Sequence, residues 1–91
     1  MAMFEWDEFK RQRTLLARGL DFRDATAVFD GRPNVTLGAR SLDEVRFLTV
    51  GLLDDGKFHT VIWTQREEAV RIITLRRSRN DEERAYHARH G

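Results

Sequence analysis

Five arginines stand where two neighbouring segments of the chain turn and end. They are Arg66, Arg71, Arg76, Arg77 and Arg79, and the stretch from Arg71 to Arg79 holds four arginines and no acidic residue. A guanidinium presents five N–H donors in a planar fork, which matches the oxygens of a phosphate in pairs. Because the net charge of the whole chain is only +1, this clustering indicates a local anion site rather than a generally basic protein.

Strand alternation predicts where these arginines point. Residues 69–76 read as a β-strand, in which Ile73 and Leu75 share a face with Arg71 and are expected to meet the helices, whereas Arg76 takes the opposite, open face. Arg66 is expected to lie near Arg71 across a tight turn. Arg71 and Arg76 are then roughly 16–17 Å apart at ~3.3 Å per residue, so an extended polynucleotide could touch both but one phosphate could not.

The corner formed by residues 76–79 comes directly before a predicted helix. Unpaired N–H groups at a helix N-terminus favour anions, and cations placed there are unfavourable unless an anion joins them. A plainer interpretation is that the arginines are solvated at the ends of an exposed sheet and are paired with acids. The candidate acids are Glu67, Glu68, Glu82 and Glu83.

Periodicity and turn residues predict an element order of β-α-α-β-β-β-β-α. The later strands are joined by connections too short for a crossover, so they form an antiparallel meander of three to four strands, to which a short N-terminal strand is added. We therefore expect an α+β fold with two N-terminal helices and one C-terminal helix on one face of the sheet. The predicted strands are 4–6, 35–37, 44–53, 57–65 and 69–76, and the helices follow Asp7, Asp21 and Asn80.

Local signals give further detail on the helices. Asp7 is expected to cap the first helix and Gly19 to end it, with Phe9, Leu15 and Leu16 on its apolar face. Asn80 or Ser78 is expected to cap the last helix. The two tryptophans, Trp6 and Trp63, could stack on bases, but packing in the core is the expectation.

Composition excludes several classes of protein. The chain of 91 residues allows one domain, and 41% apolar with 34% charged residues is typical of an ordinary globular protein. It has no cysteine, no apolar run long enough for a membrane span and no signal-peptide pattern, so a cytoplasmic location is expected. His59, His87 and His90 lack metal-ligand spacing. We expect no metal and no cofactor.

Several blocks of the sequence resemble the BrnT toxin family, in the same order over almost the whole chain. They are MFEWDEFK at 3–10, GLDF at 19–22, VFD at 28–30, EVRFLTVG at 44–51, TQR at 64–66 and RIITLRRSRNDEERAYH at 71–87. The resemblance implies one RelE-like domain over residues 1–91, with Met1 and Ala2 as an extension, and a ribonuclease toxin of a type II toxin–antitoxin pair. It also implies a BrnA-type ribbon-helix-helix antitoxin, two copies of each chain, and contact with operator DNA only through the antitoxin.

The resemblance carries over residue by residue, with one departure. The family has an Asn and then Lys-His-Gly along the end of the first helix, where this sequence has Thr14 and then Ala17, Arg18 and Gly19. The histidine that could act as an acid or base is therefore Arg18. The positions that match the family pattern are Lys10, Arg66, Arg71, Arg76, Arg77, Glu82 and Tyr86.

RNA cleavage without a metal requires the 2′-OH to attack the adjacent phosphate. The site must remove that proton, stabilise a dianionic phosphorane and protonate the leaving 5′-oxygen. Arginine suits the second task only, because its pKa stays above ~12. The expected roles are transition-state binding by Arg66, Arg76 and Arg77, proton transfer by Tyr86, and phosphate binding by Lys10, Arg18, Arg71 and Arg79. Two alternatives are a non-catalytic RNA- or DNA-binding module and a docking surface for an acidic protein.

Overall fold

The computed structural model describes residues 3–39 and 44–91 and follows the predicted order of elements. The expected extension at Met1 and Ala2 lies outside the described residues. A short 3-10 turn, Thr26–Phe29, continues the second helix. The helices are α1 (Glu8–Arg18), α2 (Phe22–Ala25) and α3 (Asn80–His90), and the strands are β1 (Met3–Trp6), β2 (Asn34–Ala39), β3 (Arg46–Leu52), β4 (Phe58–Arg66) and β5 (Ala69–Arg77).

The five strands form one mixed sheet in the order β1-β5-β4-β3-β2. The predicted antiparallel meander is confirmed for β2 to β5, and β1 adds to the edge in parallel with β5. The pairing of β1 with β5 runs only from Ala69 to Ile72. The second half of β5 therefore has no strand on its outer side.

The helix ends follow mostly from the capping residues. Asp7 accepts a hydrogen bond from the Lys10 amide at the start of α1, and Gly19 ends the helix with a φ of 70°. The predicted cap of α3 is wrong. Arg79 holds the cap position, and its amide donates to Glu82 Oε1 at 2.8 Å, which replaces the side-chain caps expected from Asn80 or Ser78.

The hydrophobic core lies between the sheet and α2 with its 3-10 turn. Phe22 and Val28 are completely buried there against Val61, Ile72 and Leu75. We call the sheet side that carries these strand residues the core face. The tryptophans Trp6 and Trp63 pack against the same cluster, as expected.

A β-bulge changes the predicted alternation along β5. Ile62 pairs with Thr74 but Trp63 pairs with Ile72, so Ile73 is an extra residue. Consequently Ile72, rather than Ile73, shares the core face with Leu75. Arg71 moves to the opposite side of the sheet and joins Arg76, against the prediction that placed it with Leu75.

We call that opposite side of the sheet the arginine face. It carries Arg46, Arg66, Arg71 and Arg76, and α3 packs against one end of it. Glu82 accepts a hydrogen bond from Thr60 at 2.9 Å, and the Tyr86 ring lies 4.8 Å from that of Phe58. The prediction that all helices cover one face is therefore wrong, because α2 and α3 lie on opposite faces.

The first helix presents an unexpected side to the rest of the protein. Thr14 is the buried residue of α1, and Lys10 and Arg18 lie one turn away on either side of it. Phe9 and Leu16, which were predicted to be buried, are 75% and 90% exposed. In the described residues, no helix is long and apolar enough to span a membrane.

Candidate functional site

Three neighbouring strands place a row of side chains on the arginine face. Thr64 of β4 pairs with Arg71 of β5. Phe47 of β3 pairs with Trp63 of β4. The residue before Phe47, Arg46, therefore lies next to Thr64, on the side opposite Arg71. Adjacent strands are about 4.8 Å apart, so the backbones of Arg46 and Arg71 are about 10 Å apart. Arg66 lies two residues further along β4, on the same face.

Sequence reasoning missed Arg46. Its role in this row depends on the register between β3 and β4, which brings it level with Arg71. A hydrophobic pattern can show that two segments are strands, but the register follows from turn geometry and packing. The predicted meander indicates that β3, β4 and β5 are neighbours, but it does not determine which residues of these strands pair.

Lys10 of α1 lies one helical turn before the buried Thr14 and is itself half-buried. Burial lowers the pKa of Lys10, and the nearby charges of Arg46, Arg13 and Arg18 lower it further, whereas Asp7 acts in the opposite sense. No salt bridge to Lys10 occurs within residues 3–39 and 44–91. The effect of the Arg46 charge on Lys10 shows that the two side chains are within electrostatic range of each other.

The arginines of this row have acidic partners that water can reach. Glu44 accepts from Arg66 at 3.1 Å and from Arg46 at 3.3 Å, and Glu5 accepts from Arg71 at 2.7 Å. The Arg66 side chain is 51% exposed. Exposed ion pairs contribute little net free energy, so an incoming phosphate can replace these carboxylates at low cost. One carboxylate shared by two arginines also leaves positive charge uncompensated.

Arg76 lies on the same face but in a different environment. It binds both carboxylate oxygens of Glu82, at 2.8 and 2.7 Å, and the Glu82 side chain is only 5% exposed. Burial acts to raise the pKa of Glu82, but hydrogen bonds from Arg76, the Arg79 amide and Thr60 outweigh it and lower the pKa to about 2. Arg76 therefore fastens α3 to the sheet, which is the acid pairing that the plainer interpretation of the sequence proposed for it.

The other cations predicted for the site lie around the free part of β5. Arg18 donates from Nη1 to the Leu75 carbonyl oxygen at 3.0 Å, beyond the point where β1 stops. Arg77 pairs with His59 and so lies on the core face, where it is exposed. Arg79 is exposed at the start of α3.

Tyr86 lies at the other end of the arginine face from Arg66. Its ring packs on Phe58 and lies 5.0 Å from that of His90. Phe58 and Arg66 are the two ends of β4, which separates them by roughly 26 Å at ~3.3 Å per residue. Tyr86 is thus not gathered with the candidate site, which we define as Lys10, Arg46, Arg66 and Arg71.

A second concavity has the opposite electrostatic character. It encloses about 360 Å³ near the core face and is lined in part by Asp21, Asp24, Asp54 and Asp55. His59 lines it too, is buried, and contacts Asp55 Oδ2 through Nε2 at 2.9 Å. Carboxylates on this scale repel a polyanion, so the arginine face is the better surface for nucleic acid. Among the described residues, no three His, Cys, Asp or Glu side chains are grouped to hold a metal ion.

Comparison with known proteins agrees with the predicted fold and family. Residues 6–82 match the family of ribonuclease toxins, BrnT, of type II toxin–antitoxin systems. The structure is similar to the 1.1 Å crystal structure of the Brucella abortus ribonuclease toxin BrnT, with 25% identity and a TM-score of 0.70 over 88% of this chain and 100% of that chain. No curated protein matches this chain. The expected α+β fold is confirmed, and the chain belongs to the BrnT family of ribonuclease toxins of type II toxin–antitoxin systems.

Proposed function

We propose that this protein is a metal-independent endoribonuclease that binds RNA across the arginine face. The observation that carries the proposal is the convergence of Lys10, Arg46, Arg66 and Arg71 from one helix and three strands. Membership of a ribonuclease toxin family supports the reaction class. Cleavage at this site requires an RNA substrate, because the attacking nucleophile is the 2′-OH.

The arginines and the lysine divide the chemistry between them. Arg66 and Arg71 stabilise the charge that develops on the phosphate, and Arg46 holds the neighbouring phosphate. Lys10 accepts the proton of the 2′-OH, since its lowered pKa gives it a larger neutral fraction than an ordinary lysine has. As the 2′-oxygen bonds to phosphorus, the P–O5′ bond breaks, and the leaving 5′-oxygen takes its proton from water. In-line positioning of the 2′-OH by the row of cations provides the rest of the rate enhancement.

The remaining predicted residues act around this centre. Arg76 positions α3 through Glu82, while Arg18 and Arg79 guide the RNA backbone past the end of β5. Arg77 lies on the core face, so we propose no contact between it and RNA on the arginine face. The sequence favoured Tyr86 for proton transfer. Tyr86 packs beside Phe58, at the far end of β4 from Arg66, so Lys10 is the better candidate for proton transfer near Arg66.

The type II family implies a protein antitoxin as the partner of this chain. The finer part of the proposal is a BrnA-like ribbon-helix-helix antitoxin that neutralises cleavage and binds operator DNA, in an assembly of two copies of each chain. The family match supports this assignment. The cationic site gives the antitoxin an obvious target, because covering it removes the surface that RNA needs.

A cleavage assay with the purified protein tests the function. We expect RNA to be cut equally well in EDTA and to carry 2′,3′-cyclic phosphate and 5′-OH ends. Replacing Arg66 or Arg71 by alanine should lower the cleavage rate by ~10²–10³. The control is Arg89→Ala, an exposed arginine of α3, which should cleave like the wild type.

Two outcomes contradict the proposal in different ways. If Arg66→Ala and Arg71→Ala both cleave at the wild-type rate, the site is assigned to the wrong residues. If the wild type binds RNA with a steep salt dependence but leaves it intact, the protein is a non-catalytic RNA-binding module.

A further inference from the structure

The outer side of α1 carries two large apolar side chains in solvent. Phe9 and Leu16 are 75% and 90% exposed, higher fractions than for any other large apolar residue that the structure describes. They are seven residues apart, two helical turns, so they lie on one side of the helix, opposite the buried Thr14. We call Phe9 and Leu16 the α1 ridge.

The ridge does nothing to hold α1 in place. The helix is fixed by its other side, where Arg18 donates to the Leu75 carbonyl oxygen and Arg11 contacts Asp21 at 3.2 Å. A phenylalanine and a leucine in water gain no burial energy in this state, whereas covering them would contribute to the free energy of an interaction. Paired apolar side chains with this spacing are the pattern by which one helix docks on another.

The charge beside the ridge restricts what can cover it. Arg13 lies between Phe9 and Leu16 along the helix, and its charge, with those of Arg18 and Arg46, acts on Lys10. A partner that lies on the ridge therefore meets an electropositive border. Complementarity requires carboxylates on the partner, on the side of its apolar residues that faces Arg13 and Lys10.

We propose that the α1 ridge is the docking site for an acidic amphipathic segment of the antitoxin. This inference rests on the proposed function, which identifies the site that the antitoxin covers. Lys10 belongs to the same helix, so a segment lying along the ridge places its carboxylates beside Lys10, whose charge interacts with that of Arg46. Docking then competes with RNA for these cations, which couples the apolar contact to neutralisation.

A second copy of this chain is a poorer occupant of the ridge. A twofold contact between two α1 ridges places Arg13 and Lys10 of one protomer near the same residues of its partner. Like charges across an interface disfavour association. The acidic segment meets no such repulsion.

The experiment uses as the probe the cognate antitoxin that membership of the type II family implies. Its affinity for the purified toxin is measured by titration calorimetry for the wild type, Phe9→Ser, Leu16→Ser and the double variant. We expect each single variant to bind about tenfold more weakly and the double variant about a hundredfold more weakly. The matched control is Leu52→Ser, which alters an apolar residue that is 40% exposed at the opposite end of β3 from Arg46 and should bind like the wild type.

Because the altered side chains are exposed and lie outside the catalytic site, RNA cleavage by all variants should equal that of the wild type. Wild-type binding strength in the double variant, with cleavage intact, overturns the docking site but leaves the proposed function standing. If the variants bind the probe more weakly but the wild type does not cleave RNA, the proposed function is wrong and the docking site is supported. If the wild type does not bind the probe, the inference is wrong. It is also wrong if the wild-type toxin sediments as a dimer, the double variant sediments as a monomer, and both bind the probe with the same affinity.

Discussion

Lys10 illustrates how a side chain that is ordinary in the sequence acquires chemistry from its neighbours. Burial and three nearby guanidinium groups lower its pKa, and none of them is adjacent to it in the chain. Arg18 cannot exchange a proton near neutral pH. In the proposed reaction it acts through Lys10, because its charge favours the neutral, proton-accepting form of that lysine.

The pH dependence of cleavage tests this coupling. A general base acts only when neutral, so the rate should rise with pH until the pKa of Lys10 is passed. Arg46→Ala removes a repelling charge, which raises the pKa of Lys10 and shifts the ascending limb of the pH–rate profile to higher pH. The profile is measured for single-turnover cleavage of a short RNA.

Two further variants separate proton transfer from charge. Lys10→Arg keeps the positive charge but cannot accept the proton, so RNA binding should persist while cleavage falls. Arg89→Ala lies far from the site and should leave the profile where it is. If the pH–rate profile of Arg46→Ala is the same as that of the wild type, the pKa of Lys10 does not determine the pH dependence of cleavage.

At the scale of the element, α3 is held to the sheet by one buried carboxylate. Glu82 accepts hydrogen bonds from Arg76, Thr60 and the Arg79 amide. The same carboxylate thus begins the helix, joins it to β4 and β5, and orients Arg76 on the arginine face. Removing one member of a buried ion pair leaves the other charge without compensation, which is strongly destabilising.

Glu82→Gln should lower the free energy of unfolding by about 3 kcal/mol at neutral pH. The pKa of Glu82 falls from 4.5 to about 2 on folding. This stabilisation is complete above pH 4.5 and is lost as the pH falls towards 2. The gap between wild type and variant in urea denaturation should therefore narrow over that window.

Glu83→Gln is the control for this prediction, because Glu83 is the neighbouring acid and has no salt bridge to any described residue. It should change stability by less than about 0.5 kcal/mol. A constant gap between Glu82→Gln and the wild type from neutral pH down to pH 2 would contradict the assignment.

The elements were predictable from the sequence, and the relations between them were less so. Asp7 and Gly19 bounded α1 correctly, because capping depends on local conformation. The bulge at Ile73 depends on pairing with β4, and it reversed the predicted face of Arg71. Apolar periodicity misled at Phe9 and Leu16, because the pattern marks a side that can be buried without saying whether this chain or another protein buries it.

At the scale of the whole molecule, a net charge of +1 conceals a separation of charge. Cations converge on the arginine face, whereas four aspartates surround the concavity beside His59. Composition alone therefore argued against a nucleic-acid-binding protein. Screening at physiological salt limits the effect of a charge to a range of about 8 Å, so in the proposed function the local charge of the arginine face, and not the net charge, attracts RNA.

The salt dependence of RNA binding measures how many phosphates this face neutralises. Each neutralised phosphate of a single strand contributes a slope of about −0.7 to the plot of log K against log salt concentration. Lys10 contacts the 2′-OH in the proposed reaction, so the cation–phosphate contacts are those of Arg46, Arg66 and Arg71, which predict a slope of about −2. The ligand is a 2′-O-methyl RNA oligonucleotide, which cannot be cleaved because it lacks the nucleophile.

Arg66→Ala should reduce the slope by about 0.7, whereas Arg89→Ala should weaken neither the binding nor the slope. A slope near zero, or the same loss in both variants, would mean that RNA does not bind through the charges of the arginine face.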